Sequence, residues 1–209
     1  MSYYRNQSAD LIWNSNTNSY QSIPTNDRFD SVQIALDAFL TDSGTVSPDI
    51  VSVDFSYVPF VNNWMLLTFV VHNGYTSSLQ SVSKINPFTV WMVECFKNCT
   101  NFTTLDAFPE SLIDMSGCFI GCTSLQTVPI IPDSVEYMIN TFEGCTSLTG
   151  NIVIESSIIT DVTDCFVNTS LTKNVYIPFN STTYNTFIAA GYDANGTKEG
   201  VYLKDINTL

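Results

Sequence analysis

The chain has 209 residues, of which 44% are hydrophobic but only 13% are charged, and its net charge is −13. The length and the apolar content support a folded core and argue against global disorder. The seven basic residues are scattered along the chain, whereas nucleic acid binding needs clustered Lys or Arg, so nucleic acid is not an expected partner. No apolar run approaches the ~18 residues of a membrane span, so we expect no membrane insertion.

Residues 1–28 are rich in Asn, Ser, Tyr and Gln and are predicted to form an extended N-terminal arm. Large apolar side chains on a polar segment are typical of a peptide that docks on a partner. We predict that the arm binds a partner through Tyr3, Tyr4, Leu11, Ile12, Trp13, Tyr20 and Phe29. A disordered arm is the alternative. The first residues lack the apolar stretch of a secretory signal, so we expect no classical secretion.

Residues 29–72 are predicted to form a small unit of one helix and two strands. The apolar residues of 30–40 share one helical face, and Gly44 ends that region. The segments 50–58 and 64–72 are rich in β-branched and aromatic residues, and Asn73-Gly74 is a turn signal. We expect this unit to attach the chain to a partner or to cap the region that follows.

The central part of the chain contains a repeat that is anchored on Phe96, Phe119, Phe142 and Phe166, at spacings of 23, 23 and 24 residues. Three further positions keep the same period: Met92, Met115, Met138 and Val162; Cys99, Cys122, Cys145 and Thr169; Phe102, Leu125, Leu148 and Leu171. A single coil is too thin to bury its apolar residues, so neighbouring coils must stack. With a degenerate copy around Leu79, residues 73–180 are predicted to form five coils.

Residues 181–209 are predicted to cap the last coil. The segment 182–190 has helical character and precedes Gly191, residues 193–197 contain turn residues, and 201–203 are typical of a strand. Stacked coils expose edges that invite unwanted pairing, so a cap of this kind is required. The predicted fold class is thus an α+β or β-solenoid fold, namely a short leucine-rich-type solenoid with 23-residue coils and flanking units.

The repeat core Phe-x-Gly-Cys-Thr-Ser-Leu and the link Ile-Pro-x-Ser-Val at 131–135 resemble the BspA-like leucine-rich repeats of bacterial surface proteins and of some bacteriophage structural proteins. The resemblance covers about residues 73–180. It extends to phage proteins at the end of the chain, through the segments 175–179, 183–192 and 200–203. It implies adhesion and surface recognition and no catalysis.

Six cysteines could suggest chemistry, because Cys95 with Cys99 and Cys118 with Cys122 form two Cys-x3-Cys pairs. Zinc would need four ligands at one tetrahedral point. The cysteines instead recur with the repeat, which favours small apolar side chains in a core ladder; disulfides and a metal site stay as alternatives. No nucleophile or phosphate-loop motif accompanies His72, the single histidine. We therefore predict no catalytic residues, no cofactor and no metal.

Acidic and Asn residues of the repeats are expected to form a solvated surface. The acidic residues that fall between coils are Asp106, Glu110, Asp114, Asp133, Glu136, Glu143, Asp161 and Asp164. A calcium site at Asp161 and Asp164 is an alternative without a supporting loop motif. Glycosylation sequons occur at Asn6, Asn98, Asn101, Asn168, Asn180 and Asn195, where a Thr- and Asn-rich composition explains them.

Together, these features and the resemblance lead us to expect a non-enzymatic bacteriophage virion protein, such as a head or tail fibre or a decoration protein. The N-terminal region would bind other virion proteins, and the solenoid would bind a host-surface glycan or protein. Fibre proteins are commonly symmetric, so we expect a homo-oligomer such as a trimer. A bacterial surface adhesin is the first alternative, and a glycan-acting enzyme is the second.

Overall fold

The computed structural model describes residues 79–85, 87–169 and 172–209, together with the backbone of 5–6, 9–14, 19–22 and 52–54. The helix predicted at 30–40, the strand at 64–72 and the turn at 73–74 lie outside the described residues, as does His72. Within the strand predicted at 50–58, residues 52–54 are extended.

Nine described strands form two sheets. The first sheet contains β1 (Arg5–Asn6), β2 (Ala9–Asn14), β3 (Ser19–Ser22), β4 (Ser52–Asp54), β5 (Ser81–Lys84) and β6 (Thr104–Leu105), in that order. The pairs β1–β2 and β2–β3 are antiparallel, whereas β3 to β6 are parallel. The second sheet contains β7 (Gly150–Val153), β8 (Lys173–Ile177) and β9 (Val201–Asp205), all parallel. Since β5 and β6 belong to the first coils, the first sheet joins residues 5–22 to the start of the repeats.

Backbone hydrogen bonds join successive coils in a pattern that recurs with the repeat. The N–H of Phe96 donates to the carbonyl of Cys118 at 2.8 Å, and the N–H of Phe119 donates to that of Thr141 at 2.9 Å. Phe142 and Cys165 repeat the arrangement at 2.9 Å. The repeats therefore stack coil on coil, which fits a solenoid-type fold. Between residues 85 and 149 the coils consist mostly of turns and single bridges, so they contain less regular β structure than the predicted ladder.

The repeat phenylalanines form a continuous stack through the core. Ring centroids lie 5.6 Å apart between Phe96 and Phe119, 5.7 Å between Phe119 and Phe142, and 5.4 Å between Phe142 and Phe166. All four side chains have no exposed surface. The other predicted core positions are buried as well: Met92, Met115, Met138, Val162, Cys99, Cys122, Cys145, Thr169, Phe102, Leu125 and Leu148. The inward-facing pattern is confirmed, and Leu171 lies outside the described residues.

Two positions in each coil adopt left-handed backbone conformations, two residues before and two residues after the stacked Phe. Their φ angles lie between 52° and 71°, and the residues are Glu94, Gly117, Asn140 and Asp164, then Asn98, Gly121, Gly144 and Asn168. This region is disfavoured for side chains with a Cβ, and Gly, Asn and Asp tolerate it best. The turn that presents each Phe to the core therefore restricts the residues on both sides of it.

The C-terminal residues cover the last coil of the stack. Helix α1 (Thr182–Ala189) begins at Ser181, whose hydroxyl accepts a hydrogen bond from the N–H of Tyr184, and Gly191 follows it with a φ of 89°. The Tyr192 ring packs edge-on against Phe166 with centroids 5.9 Å apart. Its hydroxyl accepts a hydrogen bond from the Phe166 N–H. The helix and the strand predicted for this region are confirmed, and Tyr192 ends the phenylalanine stack.

Replacement of a central ring should destabilise the chain strongly. The variant Phe142→Ala removes a ring with aromatic contacts on both faces, so we expect the free energy of unfolding to fall by about 3–5 kcal/mol. Urea denaturation followed by circular dichroism measures the loss. Phe142→Leu, which keeps most of the volume, should lose clearly less; equal losses would contradict a packing role for the ring.

The left-handed turn after the ring should discriminate between substitutions at Gly144. A Cβ at this position would meet only the Gly121 backbone, at 3.6 Å, which is ordinary van der Waals contact. Strain in φ therefore decides the outcome, and Gly144→Ala should cost about 1–2 kcal/mol. Gly144→Asn should cost less, because Asn occupies the equivalent positions 98 and 168. Denaturation curves that rank Asn below Ala would contradict this explanation.

Candidate interaction surface

The cysteines occupy two core columns and bond to the backbone of the stack. The Cys122 thiol donates to the carbonyl of Phe96 at 3.0 Å, and the Cys145 thiol donates to that of Phe119 at 3.1 Å. Where a column lacks Cys, Thr141 donates its hydroxyl to the Met115 carbonyl instead. All six cysteines are buried, and none of them is in a disulfide. Their prediction as core residues is confirmed, and the repeat selects a small side chain that can donate a hydrogen bond.

Burial also makes these thiols poor nucleophiles. Desolvation raises the pKa of Cys99 and of Cys145 to about 12. The pKa values of Cys118, Cys122 and Cys165 are raised in the same direction, again mainly by burial. A thiol reacts and binds metals as the thiolate, so these five cysteines stay in the unreactive form at neutral pH.

Several acidic side chains stabilise turns of the coils. The Asp114 carboxylate accepts a hydrogen bond from the Ser116 N–H at 2.8 Å. Two coils later, the Asp161 carboxylate accepts one from the Thr163 N–H at 2.8 Å. Asp106, Glu110, Asp133 and Asp164 are exposed, whereas Glu136 and Glu143 are partly buried. Across the part of the chain that the structure describes, no three His, Cys, Asp or Glu side chains gather in a way that could hold a metal ion.

Three of the predicted sequon asparagines have a structural explanation. Asn98, Asn168 and Asn180 all adopt positive φ angles. Asn98 and Asn168 occupy the repeat position that is Gly121 or Gly144 in the other two coils. In all four coils, a Ser or Thr lies two residues after this position. The backbone geometry of the repeat, more than composition, therefore accounts for these two sequons.

The predicted partner-binding residues of the arm fall partly on described strands. Leu11, Ile12 and Trp13 lie in β2 and Tyr20 lies in β3, where it pairs with Trp13 in an antiparallel register. The backbone of the arm is therefore extended at these positions and paired with its own chain. Tyr3, Tyr4 and Phe29 lie outside the described residues. The binding role of these seven residues stays a prediction.

The stack presents a face that the sequence reasoning missed. We define the ladder face as residues 87–94, 110–117, 133–140 and 157–164, which occupy equivalent places in four coils. Parallel bridges link Trp91 to Asp114, Asp114 to Tyr137, and Tyr137 to Asp161. One row of this face thus alternates between an aromatic and an acidic residue. The repeat could have revealed this exposed row. Each of its residues directly precedes a buried Met or Val, and adjacent side chains in an extended segment point to opposite sides.

Exposed apolar side chains accumulate on the ladder face. Phe88 is 58% exposed, Trp91 44% and Tyr137 38%, and Ile158 at 45% lies at the far end. Single exposed apolar residues are ordinary, but several large ones along one rigid face are typical of an interaction site.

The charges on the ladder face all have one sign. Its four segments contain seven carboxylates, at Glu94, Glu110, Asp114, Asp133, Glu136, Asp161 and Asp164, and no Lys or Arg. Every lysine whose side chain the structure describes lies elsewhere, namely Lys97, Lys173, Lys198 and Lys204. Lys97, just beyond the face, forms an ion pair with Glu94. The face therefore combines exposed aromatic rings with a negative potential.

Comparison with protein families assigns the repeat region. The family described as BspA type leucine rich repeat region matches residues 74–190 in six copies. The chain therefore belongs to the BspA-type leucine-rich repeat proteins, with one copy more than the five predicted coils. No curated protein and no solved structure matches it. Repeats of this family are typically non-enzymatic interaction modules. Within the described residues, no helix has the length and apolarity needed to cross a bilayer.

The buried thiols predict a loss of stability at alkaline pH. Between pH 9 and 12 the unfolded Cys145 thiol ionises, whereas the folded thiol, with a pKa of about 12, keeps its proton. The folded state then binds more protons, so the free energy of unfolding falls by about 1.4 kcal/mol per pH unit for each such thiol. Urea midpoints measured across this range should show the fall, and Cys145→Ala should make it shallower.

Lys173 provides an internal comparison of opposite sign. Its ammonium group donates to the carbonyls of Thr169 and Glu199, and burial lowers its pKa from 10.5 to about 8. The unfolded state binds more protons between these values, so this single group raises stability as the pH rises from 8 to 10.5. Above pH 9, the loss of stability from the five thiols exceeds the gain from this one lysine. Lys173→Met should steepen the decline, and an unchanged slope in both variants would contradict the assignment.

Proposed function

We propose that this protein is a non-enzymatic component of a bacteriophage virion, such as a head or tail fibre or a decoration protein. Its N-terminal region attaches to the particle, and its repeat solenoid is displayed to bind the host surface. The observation that supports the binding role most directly is the ladder face, where aromatic side chains are exposed on a closely packed stack. Family membership supports the same role, because BspA-type repeats suggest protein interaction or surface adhesion.

The packing beneath the ladder face suits it to recognition. Met92, Met115 and Met138 lie directly behind the exposed row and are fully buried. Hydrogen bonds between coils fix the backbone on both sides of each exposed residue, as for Met92 to the Asp114 carbonyl at 2.7 Å. A surface held in place in this way loses little conformational entropy on binding. Trp and Tyr are also the side chains that most often anchor interfaces.

The N-terminal strands suggest how the chain attaches to other virion proteins. Among the described strands of the first sheet, β1 is one of the two outer strands. An outer strand presents backbone groups that can pair with a strand of another chain. Attachment by strand addition, by the arm side chains, or by both would leave the ladder face available. A symmetric homo-oligomer such as a trimer is part of this proposal.

Two measurements test the proposal. The protein should co-purify with intact phage particles, as detected by mass spectrometry, and the purified chain should bind host cells. We expect the double variant Trp91→Ala and Tyr137→Ala to weaken cell binding about tenfold or more, as for interface anchors. Ile130→Ala is the matched control, because Ile130 is 53% exposed and lies outside the four ladder-face segments.

The outcomes separate the candidate functions. A chain found in the surface fraction of bacteria that carry no phage, and absent from particles, would overturn the virion role in favour of a bacterial adhesin. Equal cell binding by the double variant and the control would contradict a role for the ladder face. Shortening of host polysaccharide by the chain would instead indicate an enzyme.

A further inference from the structure

We propose that the ladder face binds an extended segment of a partner protein that contains several Lys or Arg residues. The inference rests on the proposed role of the repeats in binding and adds the chemical class of the partner. Its basis is the combination of exposed aromatic rings and an excess of carboxylates on one face of the coil stack.

The row through Tyr137 provides a site for a cation. Tyr137 pairs with Asp114 on one side and with Asp161 on the other. Bridge partners in neighbouring strands lie about 5 Å apart, so both carboxylates flank the aromatic ring along the row. One oxygen of each carboxylate accepts a backbone N–H of its own turn, which orients the group. A guanidinium or ammonium group over the ring can bind the ring and a carboxylate together.

A second aromatic site lies two coils away. Trp91 is the bridge partner of Asp114 on the side opposite Tyr137. Trp is the ring that binds cations most strongly. The two rings are separated by two coils, or about 10 Å. An extended peptide can reach both with basic side chains that are a few residues apart.

The distribution of charge selects a basic partner over other macromolecules. The ladder face contains seven carboxylates and no Lys or Arg, and Lys97, just beyond the face, pairs with Glu94, so the face keeps an excess of negative charge that would repel nucleic acid and anionic lipid. Phe88 and Ile158 at the two ends of the face add apolar contact area. A neutral glycan could contact the aromatic rings, but it would form no ion pairs with the carboxylates. Charge complementarity therefore favours a basic polypeptide.

Binding of a defined peptide to the whole chain tests the inference. The probe is a short peptide that alternates lysine and serine, with fluorescence anisotropy as the readout. Its counterpart with glutamate in place of lysine should not bind. Binding of the lysine peptide should weaken as salt is raised, because exposed charges are screened. A neutral chito-oligosaccharide forms the glycan arm of the experiment.

Matched variants distinguish the ladder face from general attraction to an acidic protein. The double variant Asp114→Asn and Asp161→Asn removes two charges but keeps the oxygen that accepts each turn N–H. We expect it to weaken peptide binding about three- to tenfold. The control Asp106→Asn with Glu155→Gln removes two exposed charges outside the face and should change affinity little. Trp91→Ala should weaken binding about two- to fivefold.

The results separate this inference from the proposed function. Equal losses in the two charge variants would show attraction to net charge alone and would overturn the inference. Binding of the chito-oligosaccharide, but not the lysine peptide, would overturn it as well and leave host-surface binding intact. Because particle association and cell binding are measured independently, their loss would contradict the proposed function whatever the peptide does.

Discussion

The stacking of one phenylalanine ring on the next is the interaction on which the rest of the structure depends. Each coil contributes one ring and has too little thickness to bury it alone. The ring of the next coil, between 5.4 and 5.7 Å away, completes its environment. Tyr192 closes the C-terminal end of the stack with an edge-on contact. The buried Met and Cys columns, and the position of the ladder face, all follow from this register.

The period of the repeat allowed much of the core to be predicted from sequence. Phe, Met, Cys and Leu recur at constant spacing, and a residue that must face inward in one coil must do so in the next. Helix α1 and the final strand were also predictable, because Gly191 and the turn residues 193–197 are local signals that need no tertiary information. The core role of the cysteines was predictable from the same period, although the two Cys-x3-Cys pairs could by themselves suggest a metal site.

Other features could not be predicted because they depend on partners distant in sequence. The pairing of β3 with β4, and of β4 with β5, joins segments some thirty residues apart, which no local pattern encodes. The left-handed positions carry Gly in some coils but Glu94 or Asp164 in others, so composition alone concealed them. The exposed row was hidden for a related reason: Trp91 and Tyr137 look like core residues until the register places them beside buried Met.

The hydrogen bonds between coils also determine how such a surface can change over evolution. Each bond joins a position to the residue just before its equivalent in the next coil, as from Phe96 to Cys118 and from Phe119 to Thr141. A duplicated or deleted coil would therefore meet the same donors and acceptors above and below it, and neither end of the stack would need to adapt. The single extra residue before Phe166 shows that a coil also tolerates a small insertion between its bonded positions. The binding surface can thus lengthen or shorten in whole coils, with its terminal caps unchanged.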